Sequence, residues 1–428
     1  MKSYQITPGV LQGFLEIPSS KSHTLRAILF GLMGEGKTTI YKYLESTDSL
    51  AMIAAIKNFG AKVAIFPNRL EIEGVGGKLG KAEDVIDSLN SGLVLRLIGA
   101  IAALSPTYTI ITGDHSIRHH RPILPLLSAL SHLGVLATSA RLDGHAPIII
   151  KGPFEGGETT ISGEDSQPVS GLLIASSFAP KETIIHVKNP GEKRWIDLTL
   201  YWLDKLGLKY ENRNYKYFRI PGGGKIKGFE YTVPGDFSTL AYPLVAAILT
   251  DSEISIGNIN MDDIQGDKKL IPILTAMGAS ITIDKENHRL EVKSGGKLKG
   301  ATIDINECID ALPILAVIGC FAEGETILTN ASIARKKECD RIHAITTELK
   351  KMGADIQEKE DGLIIRGSPL KGATLMTYHD HRMVMSLSVA AQAAIGPSLI
   401  HGVEWVSKTY PSFREHFQSI GAQIKEIE

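Results

Sequence analysis

The sequence predicts an α/β protein made of six repeats that gather, three at a time, into two globular domains around buried helices. Three observations predict it. A helix–Gly–strand pattern recurs six times, a second set of six helices is apolar nearly all round, and the composition suits large Gly-rich domains, with 42 Gly in 428 residues, 43% hydrophobic and 22% charged. At roughly 100–200 residues per domain, such a length holds two to four domains, each able to bury a core. Lys and Arg number 46 against 47 Asp and Glu, a net charge of −1, which excludes a disordered chain and a basic nucleic-acid-coating protein. The longest apolar run, Ala311–Ala322, falls short of the ~18–20 residues needed to cross a bilayer. The opening MKSYQITPGV has no basic stretch feeding an apolar segment, so no secretory signal is expected. Three cysteines, none before Cys308, cannot form a disulfide framework, and the expected compartment is the reducing cytoplasm.

In chain order, the amphipathic helices and their strands read AMIAAIKNFGAKVAI, LPLLSALSHLGVLAT, DLTLYWLDKLGLKY, KLIPILTAMGASITI, IHAITTELKKMGADIQ and FREHFQSIGAQIKEI. Their glycines, Gly60, Gly134, Gly207, Gly278, Gly353 and Gly421, fall 68–75 residues apart, close to one sixth of the chain. Gly suits the left-handed position just past a helix C-terminus, after which β-branched residues start a strand. Between these lie SHTLRAILFGLM, GLVLRLIGAIAAL, PVSGLLIASSFA, FSTLAYPLVAAIL, DALPILAVIGCFA and HRMVMSLSVAAQAAI, rich in Ala, Gly and Ser, as close-packed buried helices are. Each repeat therefore holds one buried helix, one amphipathic helix and several short strands.

The N-termini of the buried helices are unusually polar: Lys21-Ser22, Asn90-Ser91, Asp165-Ser166-Gln167, Asp236, Asp310 and Asp380-His381-Arg382. Ser, Asp and Asn are ordinary N-caps, which suffices for Asp236 and accounts for much of Asp310. Capping does not explain Lys21 or Arg382, because a cation is disfavoured at a helix N-terminus. Basic residues there make sense if an anion sits between them and the exposed backbone N–H groups. Arg118, Arg121, Lys337, Arg341 and Lys408 fall in loops or at element starts and fit the same anion site, with Asp310 and Glu338 as neighbouring acid–base groups.

Other signals point nowhere. GLMGEGKT, Gly31–Thr38, matches the P-loop letter for letter, but an apolar helix precedes it and a β-branched run follows, the reverse of a working P-loop. His115, His119, His120, His379 and His381 come with no HExxH, Cys pair or carboxylates at ligand spacing, so no metal is expected. PGGGK, Pro221–Lys225, reads as a hairpin or loop.

Along its entire length the chain resembles the 5-enolpyruvylshikimate-3-phosphate (EPSP) synthases, a family of enolpyruvyl transferases. The motifs that carry the resemblance are PSSKSHTLRA, LNSGLVLR, TGDHSIRHHRPI, GEDSQPVSGLL, the GD of VPGDFSTLAY, IDALPILA, KKECDRI, YHDHRM and SKTYPSF, nine in the family's order. The resemblance implies two domains of three βαβαββ units each, with substrates in the cleft between them. The expected domains are 1–20 with 234–428, and 21–233. It also implies that Lys21 contacts both substrates, that Ser22, Arg26, Ser166 and Lys337 hold shikimate-3-phosphate, and that Gln167 lies on its ring and also borders phosphoenolpyruvate. Gly92 is implied against phosphoenolpyruvate, with Arg121, Arg341, Arg382 and Lys408 around its phosphate and carboxylate. Asp310 is implied on the 5-hydroxyl and Glu338 as the proton-transfer carboxylate.

Departures from the family pattern exist. Leu93 and Leu97 replace the commoner Thr and Pro beside Gly92, which bears on glyphosate sensitivity more than on catalysis. Asp165 stands in DSQ where SSQ is usual, and Glu192 stands in place of a phosphate-binding Ser, with Arg194 nearby to compensate and Trp195 for a usual Tyr. The implied reaction transfers the enolpyruvyl group of phosphoenolpyruvate to the 5-hydroxyl of shikimate-3-phosphate without metal or cofactor. A cytoplasmic monomer is expected, binding neither nucleic acid nor membrane. The sister transferase acting on UDP-N-acetylglucosamine is the nearest alternative, but it uses a first-half Cys and KSHTLR is the wrong motif for it. A catalytically silent anion-binding homologue is the other; intact Lys21, Asp310 and Glu338 argue against it.

Overall fold

The computed structural model describes residues 1–293 and 295–428, which divide into two compact units, Met1–Pro18 with Pro234–Glu428, and Ser19–Val233. Ser20 caps the helix Lys21–Met33 by accepting from the His23 amide, and Ser19 and Ser20 accordingly cluster with that helix.

The six repeat glycines all have positive φ, between 71° and 109°, and each closes a helix and opens a strand. Only Gly takes that backbone turn without a Cβ clash. The helices they end are Thr47–Asn58, Leu124–His132, Lys193–Lys205, Leu270–Ala276, Arg341–Lys351 and Phe413–Ser419.

The described residues form six four-stranded sheets of one topology, a parallel pair followed by two antiparallel neighbours. In the unit Ser19–Val233, one sheet runs Ile86–Asp87, Thr109–Thr112, Ile148–Lys151, Leu136–Ser139, and a second runs Gly157–Ser162, Thr183–Lys188, Tyr217–Ile220, Glu211–Arg213. The third is headed by Glu230–Thr232, which lies parallel to Lys37–Tyr41. The other unit repeats the scheme. There Gln12–Glu16 lies parallel to Glu253–Gly257, and Ser3–Thr7 sits between Ser398–His401 and Gln423–Ile427, which ties the first residues of the chain to its last.

A parallel pair needs a crossover, and in four of the six sheets one buried helix supplies it. The helix Gly92–Ala102 joins Ile86–Asp87 to Thr109–Thr112 with every one of its residues buried. At Gly171 of the helix Ser166–Phe178, a Cβ would come within 2.8 Å of the Arg96 carbonyl, so the small residue lets two backbones approach. Each fully buried Leu, Ile or Val in such a helix contributes roughly 1.5–3 kcal/mol. GLMGEGKT spans the end of the helix Lys21–Met33 and the start of the strand Lys37–Tyr41, helix before strand.

Candidate active site

In the unit Met1–Pro18 with Pro234–Glu428, cations and carboxylates from four chain segments form one buried network. Arg341 opens the helix Arg341–Lys351 and is 1% exposed. Its Nε donates to Asp380 Oδ2, its Nη1 to Asp310 Oδ1 and its Nη2 to Glu338 Oε2, each at 2.7 Å, with Nη2 also 3.3 Å from Asp380 Oδ1. Asp380 caps the helix His381–Ala393, accepting from the Arg382 amide at 2.8 Å. The Arg382 side chain donates through Nη2 to Asp310 Oδ2 at 2.9 Å, and Lys408 Nζ donates to Glu338 Oε1 at 2.6 Å. Asp310 is not a helix cap. It lies in the 3₁₀ turn Asn306–Ala311, the following helix Leu312–Gly319 has no side-chain cap, and both carboxylate oxygens go to the two guanidiniums.

The electrostatics follow from this geometry. Burial alone would push the Asp310 carboxyl up, but Arg382, Arg341 and Lys337 more than offset it and hold the group far below the usual carboxylate range. Asp310 is therefore an ionised acceptor. Burial would lower Arg341, yet Asp380, Glu338 and Asp310 together hold it well above its ordinary value. Its donors are nearly all committed, so Arg341 is the hub that orients three carboxylates, whereas Arg382 keeps an unpartnered Nε and only 3.5 Å contacts from Nη1 to Ser238 O and Tyr242 Oη. Behind Arg382 lies a group that sequence reading missed. Asp267 is buried, accepts from Ser238 Oγ, leaves Oδ1 unpartnered, and is pushed up to about 7 by burial and by the Asp310 charge. In the sequence QGDKK it reads as a turn residue.

In the unit Ser19–Val233, Arg26 of the helix Lys21–Met33 is 2% exposed and has no carboxylate partner among the described residues. Its donors go to Thr199 Oγ1 at 3.1 and 2.9 Å, Ser22 O at 3.2 Å and Trp195 O at 3.5 Å, and burial drags its pKa down to about 9. A buried guanidinium without a counter-charge is a place for an anion. Lys21 and Ser22 precede it on the same helix, and Lys21 Nζ lies 3.4 Å from the buried Asp48. Arg121 Nη1 donates to Asn90 O at 3.2 Å. A Cβ on Gly92 would fall 2.5 Å from both Arg121 Nη1 and Arg96 Nη1, so the hydrogen of Gly92 is what leaves room for the two cations.

The departures noted in sequence take physical form here. Asp165 caps the helix Ser166–Phe178 by accepting from the Gln167 amide at 3.0 Å, and its other oxygen lies 3.2 Å from Arg96 Nη2. It is thus neutralised rather than left to repel an anion. Glu192 Oε2 accepts from the Ser166 amide at 2.9 Å and from Ser166 Oγ at 3.0 Å. Arg194 is half exposed, and one of its ion pairs is with Asp197 at 3.5 Å. Gln167 is half buried with Oε1 unpartnered. Asp48 and Arg96 were missed. Asp48 looks like an ordinary acid in a helix first turn, but Arg96, a lone cation inside GLVLRLIGAIA, was a usable signal. His115, His119 and His120 stack ring on ring, with centroids 4.5 and 5.5 Å apart.

Ionised carboxylates oriented by cations in one unit, and in the other a buried Arg26 with no carboxylate partner among the described residues, are features of an enzyme whose substrates are anionic small molecules. The comparisons make the class particular. Residues 6–417 match the family model for EPSP synthase (3-phosphoshikimate 1-carboxyvinyltransferase). A 3-phosphoshikimate 1-carboxyvinyltransferase of Acetivibrio thermocellus is 44% identical over 97% of each chain, and one of Methanocaldococcus jannaschii is 40% identical over 97% of each. The solved EPSP synthase of Acinetobacter baumannii superposes with a TM-score of 0.82 at 29% identity, covering 100% of both chains. The chain belongs to the EPSP synthase family, and it is an enzyme with that family's activity, carboxyvinyl transfer to 3-phosphoshikimate in the shikimate pathway. The two alternative functions are not favoured. No helix among the described residues is long and apolar enough to cross a membrane.

Proposed function

We propose that Asp310, Glu338 and Lys21 carry the chemistry of this transfer. Asp310 takes the proton of the 5-hydroxyl of shikimate-3-phosphate as its oxygen attacks C2 of phosphoenolpyruvate. Glu338 or Lys21 delivers a proton to the methylene carbon, giving a tetrahedral intermediate. Loss of a proton from the new methyl group and departure of phosphate then restore the double bond. Lys21, Gly92, Arg121, Gln167, Arg341, Arg382 and Lys408 are assigned to phosphoenolpyruvate, with Arg341 acting chiefly by orienting Asp310 and Glu338. Lys21, Ser22, Arg26, Ser166, Gln167, Asp310 and Lys337 are assigned to shikimate-3-phosphate. The cations stabilise clustered negative charge most effectively where water is scarce.

The observation that carries this reading is Asp310 held ionised by Arg341 and Arg382, with Glu338 on the same guanidinium hub. The test is phosphate release from phosphoenolpyruvate and shikimate-3-phosphate by wild type and Asp310→Ala. A fall in kcat far larger than any change in KM supports the base role, and the reverse pattern refutes it. The protein is further read as a cytoplasmic monomer, in keeping with its free Cys308, Cys320 and Cys339; sedimentation velocity tests the oligomeric state.

A further inference from the structure

The donors of Ser166 are already occupied by an anion, and that anion belongs to the protein. Glu192 is 2% exposed, yet it carries a carboxylate. Its Oε2 accepts from both the Ser166 amide and the Ser166 hydroxyl, the two donors at the start of the helix Ser166–Phe178. An anion on a helix N-terminus is what that dipole favours, so the carboxylate does there what an oxyanion ligand would do. Its backbone is held at φ 45°, the left-handed region, just before the helix Lys193–Lys205, and Asn189 of the same loop is also left-handed at φ 51°. A non-Gly residue in that conformation stores strain, which suits a segment with a second arrangement available.

A buried cation of the same unit touches the helix that Glu192 precedes. Arg26 Nη2 reaches the carbonyl of Trp195, in the first turn of the helix that Glu192 precedes. The guanidinium is buried and has no carboxylate partner among the described residues, although a carboxylate lies on the adjoining segment.

We propose that Glu192 is a built-in occupant of the phosphate subsite, holding the Ser166 amide and hydroxyl until the phosphate of shikimate-3-phosphate displaces it. This rests on the reading of Ser166 as a phosphate-binding residue. On binding, the phosphate takes the two Ser166 donors, and the Glu192 side chain turns out to water. The contact thus sets affinity for the phosphorylated substrate by competition. It also keeps the empty helix terminus satisfied.

The test is calorimetric binding of shikimate-3-phosphate, and of shikimate as a phosphate-free probe, to wild type, Glu192→Ala, Ser166→Ala and the double variant. Losing a competitor held by charge-assisted hydrogen bonds is expected to tighten shikimate-3-phosphate by roughly tenfold or more in Glu192→Ala, and to leave shikimate unchanged. Ser166→Ala, which removes the hydroxyl and keeps the amide, is expected to weaken shikimate-3-phosphate, and Glu192→Ala to gain less on that background than in wild type. If Ser166→Ala weakens binding but Glu192→Ala fails to tighten it, the occupant role is wrong while the phosphate site stands. If Ser166→Ala leaves binding unchanged, both readings fall. A gain shared equally by shikimate would also overturn the proposal, because the competition is for phosphate. Should Glu192→Ala not fold, Glu192→Gln keeps the acceptor and removes the charge; a smaller gain confined to the phosphorylated ligand supports the proposal, and no gain refutes it.

Discussion

Gly92→Ala converts the crowding around one helix N-terminus into a measurable effect. The added Cβ would sit 2.5 Å from Arg121 Nη1, 3.1 Å from Arg121 Cζ and 2.5 Å from Arg96 Nη1. Ordinary van der Waals contact needs about 3.5 Å, so each guanidinium must retreat by roughly 1 Å. Arg96 resists, since Nη1 donates to Gly92 O, Nη2 donates to Pro122 O at 3.0 Å and Nη2 also faces Asp165. For Arg121, a retreat of that size breaks the 3.2 Å bond to Asn90 O. Overpacking costs about 1–3 kcal/mol, of which about 1 kcal/mol is returned because Ala is the better helix former. Stability therefore changes little, but a 1 Å displacement of a substrate-positioning cation costs on the order of 100-fold in rate or binding. The assay is phosphate release with each substrate varied in turn. KM for phosphoenolpyruvate is expected to rise about 10- to 100-fold, with KM for shikimate-3-phosphate within about threefold. On an Arg121→Ala background the substitution is expected to add little. An unchanged phosphoenolpyruvate KM, or a full effect persisting without Arg121, would refute the reasoning.

Further outcomes follow from the same geometry. Arg341→Met strands Asp310, Glu338 and Asp380 without their shared guanidinium, and is expected to cost about 3–5 kcal/mol in chemical denaturation; Arg341→Lys should rescue little, because a point charge cannot serve three carboxylates. Arg26→Lys keeps the charge but loses the paired donors to Thr199, so KM for shikimate-3-phosphate should rise about tenfold or more while that for phosphoenolpyruvate moves little. Asp267 titrates at about 7 when folded against 3.8 unfolded, so the folded state keeps its proton longer. Its contribution to stability is full below about pH 4 and is lost as pH rises to about 7. Asp267→Asn should therefore match wild type in thermal melts near pH 4 and exceed it near pH 8, by at most about 4 kcal/mol. A difference that does not vary with pH would show that Asp267 does not titrate in this window.

The fold was legible because its punctuation is local. A helix that must stop and turn into a strand needs a left-handed residue, Gly supplies it, and six such glycines at even spacing mark six copies of one unit. The cations were legible for the opposite reason: Lys21 and Arg382 break the local rule that helix N-termini prefer anions. What local rules could not reveal was the pairing. Arg341 meets Asp310 and Asp380 across 31 and 39 residues of chain, and only the packing of three helices decides that its donors point at carboxylates rather than at a ligand. Asp310 was misread as partly a cap for the same reason, since Asp before an apolar helix looks alike whether its oxygens face the backbone or two guanidiniums. Glu192 could be seen to depart from the family pattern, but no local rule reveals that its carboxylate accepts from the Ser166 amide and hydroxyl at 2.9 and 3.0 Å.

The enzyme holds several cations out of water, and a buried charge is costly unless it is paired. Its own carboxylates meet that need: Asp48 stands by Lys21, Asp165 by Arg96, Glu338 by Lys408, and Asp310 by Arg341 and Arg382. Within each unit such pairing spends much of the cations' field internally, so the pull on an incoming dianion is short-ranged. Association should then depend only weakly on ionic strength for a site so rich in Lys and Arg, because rearranging buried pairs is screened far less than attracting an ion from a distance. Arg26 is buried with no carboxylate partner among the described residues, and substrate contact through it should account for most of whatever salt dependence remains. Measuring kcat/KM for shikimate-3-phosphate from 0.02 to 0.5 M salt, in wild type and in Arg26→Gln, separates the two contributions. A steep dependence that survives the loss of Arg26 would show that the paired cations act at long range after all.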